Sequence, residues 1–370
     1  MNIAILCYPS IGGSGLVATE LGLDLARRGH EVHFISYSSP FKLPHYARNV
    51  FFHSVDPINY PLFNQSLYTF SLTAKVIEVV NDYHIDIVHA HYSIPHSLCA
   101  HLAREITGKR FGIVTTLHGT DVTIVGQDKP LFPINRYGIV QSDRITTVSE
   151  FQRQHTLKYF DIQKEIRVIH NFVDLAVFRP GGNACARNDL AAPDEGIVMH
   201  ISNFRQPKNP VGVIHSFHLA RQQTKARLVL VGDGPEIVTI RHHCREHGIC
   251  DHITYLGKVD RVEDILPLAD VVVQPSYHES FGVVLLEAMA CEVPTVSSNV
   301  DGIPEVVADG ETGLTAGPDD HAQLAAHLVR LLRDADLRRR FGAAGRARAQ
   351  ARFSQEHIVP RYLACYEELL

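Results

Sequence analysis

The sequence has no tryptophan, only 3 methionines and 7 scattered cysteines among its 370 residues. The cysteines form no Cys-x-x-Cys pair, which favours reduced thiols over a disulfide framework. No apolar run reaches the roughly 18 residues that a membrane-spanning helix needs. The short apolar run after Met1 ends at Pro9, which is too brief for a secretion signal. We therefore expect a cytoplasmic protein without stable membrane insertion.

A strong net charge is also missing. The 35 lysines and arginines stand against 40 aspartates and glutamates, so the formal net charge is -5. Such a chain has no broad basic field, and nucleic acid is not expected as a partner. Any anionic ligand must be held by a few local cations. The sequence leaves open whether the chain forms a homo-oligomer.

Strand-like runs alternate with helical ones along most of the chain. This alternation predicts an α/β fold whose parallel sheets are covered by helices on both faces. A stretch rich in glycine, proline and alanine interrupts it at residues 172–195 and reads as a linker. We predict two doubly wound, Rossmann-like domains at residues 1–171 and 196–353, with a ligand between them. A terminal helix at residues 354–370 can pack back on the first domain.

The segment from Gln274 to Glu305 is the most informative part of the second domain. It predicts a helix over residues 281–291, with Ser280 as its N-cap and Gly282 in its first turn. Glu279 then lies at the mouth of the helix, and Glu287 lies about 12 Å further along. A helix start attracts anions, and carboxylates accept hydrogen bonds from sugar diols. The pattern indicates an elongated ligand with phosphate and hydroxyl groups.

Two cations, Arg205 and Lys208, follow the first predicted strand of this domain in SNFRQPKN. They can neutralise the charge that builds on a departing diphosphate. Solvated surface charge is the alternative interpretation.

A glycine-rich loop, residues 12–15, follows the first strand of the first domain and can bring backbone N–H groups close to a phosphate. Gly13, Gly15 and Ala18 also satisfy the G-x-G-x-x-A pattern of dinucleotide-binding domains. That interpretation needs an acidic residue at the end of the second strand, where this chain has HFISYSS. An NAD site is therefore disfavoured.

Histidines are frequent near the ends of the middle strands of the first domain. His89, His91 and His96 could suggest a metal site, but no acidic or cysteine ligand lies near them in sequence. We favour packing and hydrogen bonding, and we predict no metal site. His118 in TTLHGTD follows a buried strand and is the leading active-site candidate of this domain. Asp121 or Thr120 can cap the turn that follows.

The second-domain segment ESFGVVLLEAMACEVP, followed by DGIPE, resembles the nucleotide-sugar site of the retaining family 4 glycosyltransferases. The resemblance implies a fold of the GT-B type with two domains facing a cleft, and no required cofactor. It implies that Glu279 positions the sugar and Glu287 the ribose, with the glycine loop near the donor diphosphate. The further donor-binding residues that it implies are Gly13, Gly15, Asn203, Gly232, Gly257, Ser280, Phe281, Gly282 and Val283.

Further motifs narrow the resemblance: CYPSIGGSGLVATELG, PFKLP, HAHYSIPH, TTLHGTD and LVGDGPE. They are similar to those of family members that transfer N-acetylglucosamine from UDP-GlcNAc to L-malate, with retention, in bacillithiol biosynthesis. The resemblance implies that malate is bound by Lys42, Tyr92, Thr116 and Arg136. Lys42 stands where arginine is also expected, which keeps the charge but loses the bidentate geometry.

Three alternatives remain open. A family 4 enzyme with another acceptor, such as an inositol phosphate, would share every donor motif. A UDP-GlcNAc 2-epimerase has a similar architecture, but the ESFG…EAMA segment argues against it. A non-catalytic nucleotide-sugar sensor would bind the donor without turnover.

Overall fold

The computed structural model describes residues 1–10, 13–56, 67–123, 126, 128–182 and 184–370. The chain divides into two compact units, Met1–Asn171 with Glu356–Leu370, and Phe172–Gln355. No helix in the described ranges is long and apolar enough to cross a membrane.

The first unit is built on a sheet of seven described strands in the order β3-β2-β1-β4-β5-β6-β7. Its strands are β1 Asn2–Leu6, β2 Glu31–Ser36, β3 Val50–Ser54, β4 Ile87–His91, β5 Gly112–Leu117, β6 Arg144–Thr147 and β7 Ile166–Val168. Its helices are α1 Ser14–Arg27, α2 Tyr68–Asp82, α3 Leu98–Thr107, α4 Thr120–Thr123, α5 Phe132–Gln141 and α6 Glu150–Phe160, together with the C-terminal α15 Gln355–Glu367.

The second unit repeats this arrangement with six described strands in the order β10-β9-β8-β11-β12-β13. Its strands are β8 Gly196–Ile201, β9 Ala226–Val231, β10 Ile253–Gly257, β11 Val271–Gln274, β12 Thr295–Ser298 and β13 Gly313–Ala316. Its helices are α7 Ala184–Leu190, α8 Pro210–Arg221, α9 Ile237–Glu246, α10 Val262–Ile265, α11 Val283–Ala290, α12 Ile303–Val306, α13 His321–Arg333 and α14 Ala335–Phe353.

Within each of these two sheets, all the strand pairs are parallel. The central strands are buried on both faces, which explains why β1 and β9 read as nearly continuous apolar runs. In each sheet the strand order reverses between the first and the fourth strand along the chain, at β1/β4 and β8/β11. Loops at such a switch point are where ligands of doubly wound sheets bind. The prediction of Rossmann-like α/β architecture is confirmed.

The C-terminal helix α15 packs within the first unit. Tyr362 and Tyr366 on α15 are fully buried, and the Tyr366 hydroxyl lies 2.7 Å from Nδ1 of His89 on β4. Near the end of the chain, Glu368 accepts hydrogen bonds from Arg144 at 3.1 Å and from Arg167 at 2.8 Å. The helix therefore satisfies a buried imidazole of the central sheet.

Replacement of Tyr366 by phenylalanine should destabilise the first unit by about 1–3 kcal/mol, because His89 Nδ1 would be buried without its partner. Urea unfolding, monitored by tyrosine fluorescence and circular dichroism, measures the effect. Tyr46→Phe is the matched control, since Tyr46 is 86% exposed. Equal unfolding midpoints for the two variants would contradict the prediction.

Candidate functional site

The carboxyl ends of β8, β9 and β10 bring three predicted donor residues into one part of the second unit. The Gly232 N–H, after β9, donates to the carbonyl oxygen of Gly257, at the end of β10, at 2.7 Å. Gly232 has φ 119°, and a Cβ there would lie 1.9 Å from the Ser202 carbonyl oxygen. Asn203 follows β8 and is exposed. The Gly232 position therefore requires glycine, because backbone segments meet there without room for a side chain.

An ion pair joins two of the predicted catalytic residues. Lys208 Nζ lies 2.6 Å from Glu279 Oε2, and the side chains are 26% and 14% exposed, respectively. The Pro207 carbonyl accepts hydrogen bonds from the backbone N–H groups of Tyr277 at 2.9 Å and of His278 at 3.2 Å. The loop after β8 and the loop after β11 are thus fastened together, and their charged side chains meet. Arg205, in the first of these loops, is exposed.

Asp301 organises the same loop from the other side and has no assigned role in the sequence prediction. Its Oδ2 accepts from the backbone N–H of Glu279 at 3.1 Å and lies 3.2 Å from Nδ1 of His278. A Cβ on the next residue, Gly302, would lie 2.1 Å from the carbonyl oxygen of Ser280. The sequence signal for this contact is the Asp-Gly pair of the DGIPE motif, because the glycine allows the backbone to approach Ser280 closely.

The predicted cap of the glutamate helix is wrong. Helix α11 begins at Val283, two residues later than expected, and Gly282 rather than Ser280 occupies the N-cap position. Gly282 has φ 97°, a left-handed conformation that favours glycine, and no described side chain caps the helix. The first N–H groups of a helix lack intrahelical partners, so an uncapped start suits an anion.

The remaining donor candidates lie along α11 and just before it. Glu287 is buried in its second turn, and Phe281 is buried with its ring centroid 5.6 Å from that of Phe353.

Burial raises the pKa of Cys291, which directly follows α11, to about 12. This agrees with a packing thiol and not a nucleophile.

In the first unit, a buried polar network joins the ends of β4, β5 and β6. Thr116 Oγ1 lies 2.7 Å from His89 Nε2 and 2.7 Å from the Thr146 hydroxyl. The Thr116 carbonyl accepts a hydrogen bond from the Tyr92 N–H at 3.0 Å. The Thr116 side chain is fully buried and contacts His89 and Thr146, while its backbone carbonyl holds Tyr92 in place.

Three further histidines form an aromatic cluster with Tyr92 beside this network. His91 Nδ1 lies 2.9 Å from His118 Nε2, and the His118 and Tyr92 ring centroids are 5.5 Å apart. His96 Nδ1 donates to the His91 carbonyl at 2.5 Å. Hydrogen bonding, the role we favoured for His89, His91 and His96, is what these contacts show.

Burial keeps this cluster neutral. Desolvation lowers the pKa of His89 and His118 to about 3 and that of His96 to about 4, and it holds the pKa of His91 well below its ordinary value. His118 can therefore donate or accept a hydrogen bond near pH 7, but it does not supply positive charge.

Asp121 holds the His118 loop. Its Oδ1 accepts from the backbone N–H groups of His118 at 3.2 Å and Gly119 at 3.0 Å, and its Oδ2 accepts from Ser93 N–H at 3.3 Å. Burial raises the pKa of this carboxyl to about 6. These bonds order the turn that contains His118, whereas the capping of the following turn by Asp121 or Thr120 stays a prediction.

The glycine loop leads into α1, where Gly13 takes the N-cap position with φ 59°. A Cβ on Gly15 would lie 2.5 Å from the Tyr8 carbonyl oxygen, so this residue lets the helix start pack closely on the loop. Gly12, part of the predicted loop, lies outside the described residues.

Two predicted acceptor cations have different surroundings. Lys42 lies between β2 and β3, is partly buried and has φ 63°. Arg136 on α5 is exposed and donates to the carbonyl oxygens of Phe160 at 2.8 Å and Asp161 at 3.3 Å. Arg136 thus caps the C-terminal end of α6, and its acceptor role stays a prediction.

Comparison with protein families defines the class. Residues 11–177 match the model described as Glycosyltransferase Family 4, and residues 186–348 match the one described as Glycosyl transferases group 1. The chain belongs to the family 4 glycosyltransferases. Its glycosyltransferase class agrees with the resemblance identified in the sequence.

Individual relatives are similar over almost their whole length. An N-acetyl-alpha-D-glucosaminyl L-malate synthase of Bacillus anthracis is 41% identical, with 100% of this chain and 97% of the relative covered. A D-inositol 3-phosphate glycosyltransferase of Mycolicibacterium smegmatis is 28% identical, covering 97% and 87%. The solved sucrose-phosphate synthase of Thermosynechococcus elongatus is 25% identical with a TM-score of 0.82, covering 100% and 98%. The predicted fold class of the GT-B type is confirmed.

The neutral histidines of the first unit predict loss of stability in acid. Their pKa values are lower in the folded protein than in the unfolded chain, so their contribution is present above pH 6.5 and is lost as the pH falls toward 4. At pH 5 each should cost up to about 2 kcal/mol. Asp121, with its raised pKa, acts in the opposite direction between pH 6 and 4, but it is a single carboxyl.

The measurement is the Tm between pH 7.5 and 4.5. His96→Asn replaces a titrating side chain by one that can still donate toward the His91 carbonyl, so its Tm should fall less steeply in acid. His84→Asn is the control, because His84 has a side chain that is 93% exposed. If His96→Asn and wild type fall in parallel, His96 is not among the groups responsible.

Proposed function

We propose that this protein transfers N-acetylglucosamine from UDP-GlcNAc to the hydroxyl of L-malate with retention of configuration, the first step of bacillithiol biosynthesis. The observation that carries the proposal is the 41% identity, along the full chain, to the malate synthase of Bacillus anthracis. The D-inositol 3-phosphate glycosyltransferase is less similar, at 28%. The first unit would supply the acceptor residues and the second most of the donor residues.

The donor site is proposed around the Lys208–Glu279 pair. Breaking the bond between the anomeric carbon and phosphate leaves negative charge on UDP, and stabilising that charge is the largest effect available to the protein. Lys208 and Arg205 supply cations, and the uncapped start of α11 at Gly282 supplies backbone N–H groups. Glu279 accepts hydrogen bonds from sugar hydroxyls and keeps Lys208 oriented.

The nucleoside end of the donor is proposed to lie along the strand ends. Backbone groups near Asn203, Gly232 and Gly257 would read the base, which suits the close backbone packing at Gly232. Glu287 would accept the ribose hydroxyls. Ser280, Phe281 and Val283 would hold the loop and the first turn of α11 against the diphosphate.

The acceptor is proposed to contact the first unit. Malate carries two carboxylates, which Lys42 and Arg136 can neutralise, and Tyr92 can donate a hydrogen bond. Thr116 would act through Tyr92, whose N–H it holds. His118 is neutral and would orient a hydroxyl by hydrogen bonding.

Retention is proposed to occur by attack on the face from which UDP leaves. The malate hydroxyl oxygen forms a bond to the anomeric carbon, the bond from that carbon to the phosphate oxygen breaks, and the hydroxyl proton passes to a phosphate oxygen of UDP. Gly13 and Gly15 would add backbone N–H groups toward the diphosphate. No protein nucleophile and no metal cofactor enter this scheme.

Release of UDP from UDP-GlcNAc should depend on L-malate, and the product should have the mass of an N-acetylglucosaminyl malate adduct. Coupled UDP detection and mass spectrometry measure both. Turnover with an inositol phosphate but not with malate would keep the glycosyltransferase class and overturn the acceptor.

Lys42→Met should raise KM for malate about 10–100-fold, as expected for a lost charged hydrogen bond. Lys158→Met, on the exposed face of α6, is its control.

Lys208→Met should lower kcat about 10²–10³-fold, because the leaving diphosphate loses a cation and Glu279 loses its counter-charge. KM for malate should change little. Lys225→Met is the matched control, since Lys225 pairs with Asp194 on the surface of the same unit and is 70% exposed. A kcat within twofold of wild type would exclude Lys208 from the reaction.

A further inference from the structure

A group of histidines lies where α8 and α9 pack in the second unit. His215 comes from α8, while His243 lies in the last turn of α9 and His247 follows its end. His243 and His247 are four residues apart, a spacing that places them on one face of a helix. One ligand nitrogen from each of the three lies within 4.8 Å of the others, and all three residues are partly exposed.

The distances approach those of a transition-metal site. His215 Nδ1 and His247 Nε2 are 3.0 Å apart. Zinc binds imidazole nitrogen at about 2.0–2.1 Å, so two nitrogens in a tetrahedral site are about 3.3 Å apart. Because all the ligand nitrogens lie within 4.8 Å of one another, no pair needs to close by more than about 1.5 Å, a change that rotation of partly exposed side chains can provide.

A carboxylate lies beside the cluster. Glu246 Oε2 lies 3.1 Å from His243 Nδ1. Metal-bound histidines usually donate their second ring N–H to a carboxylate or carbonyl, which fixes the tautomer and orients the ring. The Glu246 carboxylate is close enough to orient His243, although it forms no aligned hydrogen bond with Nδ1 in the absence of a metal ion.

Two of the three histidines have lowered pKa values, and further imidazoles lie around the cluster. Desolvation and the neighbouring histidines lower the pKa of His215 and His247, which favours the neutral ring that binds metals. The His218 ring centroid is 4.3 Å from that of His247, and the His321 centroid is 5.3 Å from that of His215.

We propose that His215, His243 and His247 bind one transition-metal ion of the zinc class, with solvent in the remaining position. The site joins α8 to α9. Helix α8 begins two residues after Lys208, and α9 begins five residues after Gly232. The metal would thus hold together two helices that follow donor-site loops, as a structural element that takes no part in glycosyl transfer.

The test uses full-length, tag-free protein that was purified without immobilised metal and freed of metal with a chelator. Titration with zinc chloride, followed by calorimetry, should give a stoichiometry of one per chain. At about 100 times the dissociation constant, zinc should raise the Tm by roughly 5 °C. Neither measurement needs UDP-GlcNAc or malate, so the result is independent of the proposed reaction.

His215→Gln and His247→Gln should each weaken zinc binding at least about tenfold, while His247→Asp should retain part of the affinity because it restores a ligand. His84→Gln, which removes an exposed imidazole from the first unit, should bind zinc as wild type does. Equal zinc affinity in wild type, His215→Gln and His247→Gln would overturn the proposal. The absence of saturable binding by wild type up to about 10⁻⁴ M zinc would overturn it as well.

Discussion

Parallel pairing of strands buried on both faces is the constraint on which the structure depends. It requires every strand to end at the same edge of its sheet. Each connection between successive strands must then cross one face of the sheet, which helices cover. The loops after β8, β9, β10 and β11 consequently meet, although they are up to about 75 residues apart in sequence. The burial that makes the strands apolar also gathers the polar loops that can hold a ligand.

Within this arrangement, side chains with opposite charges are positioned by backbone contacts. The Pro207 carbonyl and the Asp301 carboxylate hold the residues around Glu279 from two sides, and the Lys208 ammonium then reaches the glutamate at 2.6 Å. A carboxylate that is oriented before ligand arrives loses less entropy on binding. In the proposed reaction a diphosphate would compete with Glu279 for the same ammonium, so the pair could exchange partners as negative charge develops.

The fold was predictable from sequence because the alternation of strand-like and helical runs is a local pattern. The predicted donor motifs were recognisable because they follow the ends of strands. The cap of α11 was not, because Ser280 is a good cap by residue type and only the left-handed backbone at Gly282 decides otherwise. Asp301 was missed because its contact with Glu279 spans 22 residues. The spacing of His243 and His247 was readable, but His215 reaches them from another helix.

The histidines of the first unit limit how the proposed acidic acceptor could be held. Its four histidines near the strand ends look cationic in sequence, yet burial lowers their pKa values far enough to keep them neutral near pH 7. A dicarboxylate acceptor would then take its positive charge from residues outside this cluster, such as Lys42. Neutral imidazoles linked to Thr116 and Tyr366 instead give rigid hydrogen bonding. In the proposed reaction, selectivity for a small hydroxy acid would thus combine separate cations with a neutral, hydrogen-bonded cluster.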